Sequence, residues 1–206
     1  MRRTILIGLA VLGALLTGPF ASAQTQSFPE PTISHEDYQA EVFGGFSLLH
    51  AKPASGFSYY NLYGWNVSAT EWANSWFGIM LDASAGYHKV SLPGPDGKTV
   101  TNVDQYSFLA GPRFRLVPNK SRFDGTLQPM VGSGLGHAPL STPGGLENAY
   151  EARWAYQLGF AGDYNFTPRL AVTLRPGVYW TRFGSSTQTD WKLATGVVYR
   201  FGKSQE

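Results

Sequence analysis

The sequence predicts an all-β protein, an eight-stranded antiparallel up-and-down barrel that crosses a membrane with its strands. First, from Tyr38 onward, segments of roughly ten residues alternate between apolar and small or polar side chains. Turns rich in Gly, Pro, Asn and Ser separate these segments. Second, aromatic residues make up 15% of the 206-residue chain, and only 15% of its residues are charged. Third, no apolar run of about 18 residues follows the N-terminal segment, so any membrane crossing there must use strands.

The first 23 residues predict a secretory signal peptide. Arg2 and Arg3 form a positively charged start, and an apolar run extends from Ile5 to Leu16. The run is short for a membrane span of about 20 residues. Ala21-Ser22-Ala23 supplies the small residues that signal peptidase accepts, so we expect cleavage after Ala23. A polar, flexible leader is expected over residues 24–37.

Eight segments of the mature chain carry the alternating pattern. The predicted strands span residues 38–50, 59–70, 76–88, 103–116, 126–137, 150–165, 169–183 and 190–201. We expect one barrel domain over 38–202, followed by a short tail over 203–206. The connections after strands three and five (Leu92–Gly97 and Pro139–Gly145) are rich in Gly and Pro and predict long outer loops. At the other end, the links after strands two and six (Glu71–Ser75 and Phe166–Pro168) are short, and the nine-residue link Val117–Gly125 is the exception.

The face opposite the aromatic residues predicts a narrow, polar interior. An eight-stranded barrel has room inside only for side chains, and buried charges are tolerated there when they are paired. The residues expected to form a charge network in this lumen are Glu41, Asp82, Arg113, Arg115, Asp163, Arg175 and Arg200. A static plug is the favoured interpretation. The alternative is a gate, in which ion pairs exchange partners and open a conduit.

A soluble, lipocalin-like barrel also alternates, but it would turn its aromatic rings inward and its arginines outward. Aromatic residues gather near the predicted strand ends, as at Trp76, Tyr87 and Trp180. Aromatic girdles at the two water–lipid interfaces are typical of membrane barrels. The pattern therefore favours a barrel whose rings face lipid.

Three stretches carry a family resemblance: Gly64–Ser68 (GWNVS), Gly111–Phe114 (GPRF) and Gly196–Gly202 (GVVYRFG). With them, the chain resembles the small outer-membrane β-barrel family, including outer-membrane protein A-like transmembrane barrels and opacity-type barrels of the porin family. The resemblance implies the bacterial outer membrane as the location. It also implies biogenesis through periplasmic chaperones and the barrel-assembly machinery, which reads a terminal aromatic residue. Phe201 fits that signal, although five residues follow it.

The sequence gives no convincing reactive site. No cysteine is present, which excludes disulfides and thiolate metal sites. His50, His88 and His137 fall on strands one, three and five, which are not neighbours, so no metal site is expected. His88, Ser91 and Asp96 or Asp104 resemble the loop residues of lipid A-modifying barrel enzymes, but such residues occur in almost any polar loop. We expect no catalytic residues and no cofactor.

These observations predict an outer-membrane protein, surrounded by lipid and lipopolysaccharide, with a structural or surface-interaction role. We expect it to be a monomer that meets surface ligands through its outer loops. A net charge of +2 and the absence of a basic cluster argue against nucleic acid as a partner. Three alternatives remain open: a narrow gated conduit, a lipid-modifying barrel enzyme and a soluble lipocalin-like binding barrel.

Overall fold

A computed structural model describes six segments of the chain, and all structural statements below concern them. They are residues 38–51, 59–94, 97–116, 122–142, 145–181 and 187–202. The predicted signal peptide, leader and C-terminal tail lie outside them, as do the side chains of 90–101 and 137–151. None of the described residues forms a helix long and apolar enough to cross a membrane.

The described residues form eight antiparallel strands in a closed barrel, so the predicted fold class is confirmed. The strands are β1 (Ala40–Ala51), β2 (Tyr60–Trp72), β3 (Phe77–Gly94), β4 (Gly97–Arg115), β5 (Phe123–Thr142), β6 (Gly145–Asn165), β7 (Leu170–Thr181) and β8 (Gln188–Phe201). Each strand pairs with the next, and β8 returns to pair with β1. Ala40, the first residue of β1, lies opposite Phe201, the last residue of β8, so the chain enters and leaves the barrel at the same rim. We call this rim of the barrel the terminal end and the opposite rim the distal end.

The alternation of the sequence becomes an inside and an outside. Along β8, Lys192, Ala194 and Val198 are buried, whereas Trp191 and Val197 are exposed. This period of two follows from strand geometry, because successive side chains point to opposite faces. Exposed large apolar residues occur on all eight strands, far more than the exterior of a soluble barrel would carry. The aromatic side is therefore the outside, as the sequence predicted.

Two polar side chains close short links at the terminal end. Between β2 and β3, Oδ1 of Asn74 accepts hydrogen bonds from the backbone N–H groups of Trp76 (3.0 Å) and Phe77 (2.8 Å). Between β6 and β7, Oγ1 of Thr167 accepts one from the backbone N–H of Leu170 at 3.0 Å. Asn and Thr stabilise tight turns in this way, which explains how a few residues suffice at this end.

The distal end differs from the predicted long loops. β3 leaves β2 at Tyr87 but stays paired with β4 as far as Gly94, opposite Gly97. β5 leaves β4 at His137 but stays paired with β6 as far as Thr142. Two two-stranded ribbons thus extend beyond the barrel wall: ribbon A (88–94 with 97–103) and ribbon B (138–142 with 145–149).

The ribbons have a simple physical cause. Backbone N–H and C=O groups seek partners, and continuing the ladder supplies them. Within the described residues, neither ribbon pairs with a third strand, so a proline such as Pro93 or Pro139 is tolerated at its outer edges, where no donor is required. The sequence prediction was wrong here because it treated Pro and Gly as loop signals only.

One glycine pair permits close approach at the seam between β1 and β8. Gly45 lies opposite Gly196, and a Cβ atom on Gly196 would come within 2.2 Å of the backbone oxygen of Gly44. The neighbouring Gly44 has open space around its own Cβ position, with nothing within 4 Å. The seam therefore has room for a side chain at Gly44 but not at Gly196.

We expect Gly196→Ala to lower the free energy of unfolding by about 1–3 kcal/mol, the usual range for overpacking. Reversible urea unfolding in lipid vesicles measures the change. Gly44→Ala is the matched control and should be near neutral. Equal losses in the two variants would contradict the close approach.

Candidate functional site

Four charged side chains meet across the interior near the terminal end. The carboxylate of Glu41 on β1 accepts hydrogen bonds from Nη1 of Arg113 on β4 and, at 3.1 Å, from Nε of Arg200 on β8. Oδ2 of Asp163 on β6 lies 3.2 Å from Nη2 of Arg200 and 3.5 Å from Nη2 of Arg113. Each of the four side chains is at most 3% exposed. We call this group the terminal cluster. It links four strands around the circumference through the lumen.

Neutral groups use further donors of the two arginines. Arg113 donates from Nε to Oγ1 of Thr126 at 3.1 Å and from Nη1 to Oγ1 of Thr70 at 3.2 Å. Arg200 donates from Nη1 to Oδ1 of Asn165. Buried ion pairs tolerate desolvation when such additional hydrogen bonds are present. The terminal cluster is therefore a packed network that fills this level of the lumen.

Arg115 lies at the edge of this network with an acid that the sequence analysis did not single out. Its Nε is 3.3 Å from Oδ2 of Asp124, and its guanidinium stands 4.1 Å from the ring centroid of Trp72. Asp124 also approaches Arg200, at 3.9 Å. Asp124 was missed because the fifth strand was predicted to begin at 126. Asp124 lies two residues before the buried Thr126, so strand alternation would have placed its side chain inside the barrel.

A second ion pair crosses the middle of the barrel. Nζ of Lys192 lies 3.3 Å from Oδ1 of Asp82 and donates to Oγ of Ser84 at 2.9 Å. Nδ2 of Asn66 donates to Oδ2 of the same Asp82 at 2.7 Å. Lys192 has the same inward parity on the last strand as Arg200, but it was not among the residues expected to form the charge network. Only the distance across the lumen reveals it as the partner of Asp82.

No carboxylate of the described residues lies within ion-pair distance of Arg175. Its Nη1 donates to Oγ of Ser68 at 2.8 Å, and its guanidinium lies 3.8 Å from the ring centroid of Phe43. A cation over an aromatic face is stabilised by the ring quadrupole. Arg175 is 6% exposed, so it remains inside the barrel as expected, but apart from the terminal cluster.

The interior charges of the described segments balance in number. Five carboxylates face five cationic groups: Glu41, Asp82, Asp124, Asp163 and Asp190 against Arg113, Arg115, Arg175, Lys192 and Arg200. Toward the distal end, buried apolar side chains that include Leu49, Leu62 and Val103 pack against one another inside the barrel. Two interior cavities on either side of Lys192 measure only about 10 Å³ each. Side chains thus fill the lumen at these levels.

Of the three histidines considered in the sequence, His50 and His88 have described side chains, and each lies against an aromatic ring. Nδ1 of His50 donates to Oδ1 of Asn61 at 2.7 Å, and its ring stacks on Tyr59 at 5.0 Å. His88 stacks on Tyr60 at 5.2 Å. The side chain of His137 lies outside the described residues, as do those of Ser91 and Asp96. Within the described part of the chain, no three His, Cys, Asp or Glu side chains are grouped to hold a metal ion.

Comparison with known proteins identifies the fold. No family model and no curated protein matches the chain. Among solved structures, Neisserial surface protein A is similar with a TM-score of 0.61 and 14% identity, covering 79% of this chain and 97% of that one. The outer membrane protein OprG from Pseudomonas aeruginosa gives 0.59 and 12%, covering 82% and 99%. Ail, the attachment invasion locus protein of Yersinia pestis, gives 0.56 and 19%, covering 79% and 99%. The chain therefore has the fold of small outer-membrane β-barrels, as the sequence resemblance implied.

Proposed function

We propose that the protein is a bacterial outer-membrane barrel with a non-enzymatic, structural or surface-interaction role. The observation that carries this proposal is the contrast between a sealed, charge-balanced interior and an apolar exterior. A lumen filled by the terminal cluster and by the pair of Asp82 and Lys192 has little room for solute or substrate. The segments that remain available to contact partners are therefore those that extend beyond the barrel wall.

The exterior supports lipid as the surrounding medium. Leu81 is 61% exposed and Trp154 is 71% exposed. In a membrane these side chains contact acyl chains, and aromatic rings near the strand ends lie at headgroup level. Lipid and lipopolysaccharide are accordingly the proposed neighbours of a monomeric barrel.

The two ribbons support a surface-interaction role. They place backbone with open hydrogen-bonding edges beyond the rim at the distal end. In outer-membrane barrels the longer connections face the cell exterior. Ail of Yersinia pestis has been solved in complex with the heparin analogue sucrose octasulfate, which is a precedent for ligand binding on this fold. We propose that ribbons A and B present the ligand-binding surface here.

Biogenesis follows from the same proposal. Residues 1–23 would direct export and be removed after Ala23. Periplasmic chaperones and the barrel-assembly machinery would then handle the mature chain. The aromatic Phe201, which ends β8, is the proposed recognition signal.

An epitope inserted between Thr142 and Gly145, in ribbon B, tests the topology. We expect an antibody to label intact cells that carry this insertion, because the distal end faces outward. The matched control carries the same epitope between Leu116 and Arg122, at the terminal end, and should be labelled only after the outer membrane is permeabilised. The reverse pattern would contradict the proposed orientation, and labelling of neither on permeabilised cells would contradict outer-membrane insertion.

Planar-bilayer recording tests the sealed interior. We expect the purified wild-type barrel to give no discrete conductance steps, because the terminal cluster closes the lumen. Vesicle-reconstituted protein with heat-modifiable gel mobility serves as the folding control. Reproducible steps from the folded wild type would contradict the static plug and favour the gated conduit.

A further inference from the structure

Several buried polar atoms in the middle of the barrel have no hydrogen-bond partner among the described residues. They include Nε and Nη2 of Arg175 and Oε1 of Gln157, and, on the distal side, Nε2 of Gln105 and Oη of Tyr179. The hydroxyl of Tyr179 lies beside the side chains of Gln105 and Ser107, but without hydrogen-bond geometry to either. Leaving a buried polar atom without a hydrogen bond costs roughly 1–3 kcal/mol. Five such atoms close to the level of Lys192 therefore require a structural reason.

Each group of unpartnered atoms borders its own interior cavity. Gln157 and Arg175 line the first, which also touches Gln128 and measures about 10 Å³. Gln105 and Tyr179 line the second, of the same volume. A cavity of roughly 10–15 Å³ accommodates one water molecule when two to four polar groups surround it. Both cavities meet this requirement in size and in chemistry.

Lys192 lines both cavities and connects them. Its ammonium carries three N–H donors, and two of them go to Asp82 and Ser84. The third is available to an acceptor in a cavity. The donors of Arg175 and Gln105 likewise need an acceptor, whereas Oε1 of Gln157 needs a donor.

We propose that the barrel holds two buried water molecules, one in each cavity, on either side of Lys192. Water accepts from the arginine and donates to Gln157, so it satisfies both kinds of unpartnered atom. A halide ion would accept hydrogen bonds only. It would also face the carboxylate of Asp82 and the oxygen of Gln157, which line the same cavity. Water is therefore the occupant that the lining fits.

The two waters complete a hydrogen-bonded layer across the middle of the lumen. This layer runs from Asn66 through Asp82 and Lys192 to Arg175. Arg175 has no carboxylate partner in the part of the chain that the structure describes, and water solvates it there in place of an acid. This inference concerns the interior and stands independently of the surface role proposed above.

Water–protein NOE spectroscopy of the folded barrel in lipid nanodiscs tests the proposal. We expect cross-peaks of long-lived water to the side-chain amides of Gln157 and Gln105 in the wild type. Their absence from both amides would overturn the two-water proposal. A bromide peak at Arg175 in the anomalous map of a bromide-soaked crystal would overturn water as the occupant.

The variant Gln157→Met tests the first cavity separately. Water ¹⁷O relaxation dispersion should lose the contribution of one long-lived water, and the cross-peak to Gln105 should remain. Leu158→Met, on the same strand but facing outward, is the matched control and should keep both waters. An unchanged dispersion amplitude in folded Gln157→Met would overturn the assignment of that cavity. If this variant does not fold, the wild-type cross-peaks decide.

Discussion

Replacing Glu41 with Gln is expected to lower the free energy of unfolding by about 3–5 kcal/mol, the range for breaking a buried ion pair. Glu41 is the acid that both Arg113 and Arg200 contact. Its neutralisation leaves the two buried guanidiniums to share Asp163, with Asp124 a further 3.9 Å neighbour of Arg200 alone. Urea unfolding in lipid vesicles, followed by tryptophan fluorescence, measures the change.

Glu71→Gln is the matched control, because Glu71 is an exposed carboxylate on the adjacent strand. It lies opposite Ala40, the neighbour of Glu41, at the terminal end. It should change stability by no more than about 0.5 kcal/mol. The double variant Glu41→Gln with Arg113→Met should lose less than the sum of the two single variants, since one charge then leaves with its partner. Additive losses, or a Glu41 effect no larger than that of Glu71, would contradict the terminal cluster.

A cation on the exterior should be the second most damaging change. Leu81 is 61% exposed and lies in the part of β3 that pairs on both sides within the wall. We expect Leu81→Arg to destabilise the folded barrel in lipid by about 2–4 kcal/mol, because the guanidinium would sit near the bilayer midplane. The same unfolding assay gives the value.

Phe123→Arg is the control for the depth of the substituted residue in the bilayer. Phe123 is the first residue of β5 and 68% exposed, so an arginine there reaches the interface. Its loss should be about 0–1 kcal/mol. Equal effects at the two positions would mean that Leu81 does not face the hydrocarbon interior.

The sequence alone predicted the fold class and the inward and outward faces for a definite reason. In a closed barrel every strand has one lipid side and one lumen side, so a period of two carries nearly all the information. The positions of Arg113, Asp163 and Arg200 on the inner face follow directly from that period. Strand ends are less certain, and the omission of Asp124 came from a boundary error of this kind.

The partners within the lumen were beyond sequence reasoning. Whether Asp82 meets Lys192 or an arginine depends on the stagger between strands that are distant along the chain. The separation of Arg175 from the acids has the same origin, since it lies against Phe43 and Ser68. The ribbons were missed for another reason: Pro93 and Pro139 suit an open ribbon edge as well as a loop.

The most direct test of the account compares methyl groups inside and outside the wild-type barrel. In lipid nanodiscs with methyl-labelled Leu and Val, we predict NOEs from lipid acyl chains to Leu81, Leu193 and Val197. Leu62 and Val198, which are 0% exposed, should give none. Acyl-chain NOEs to Leu62 and Val198, with none to Leu81 and Val197, would mean that the barrel is oriented inside out.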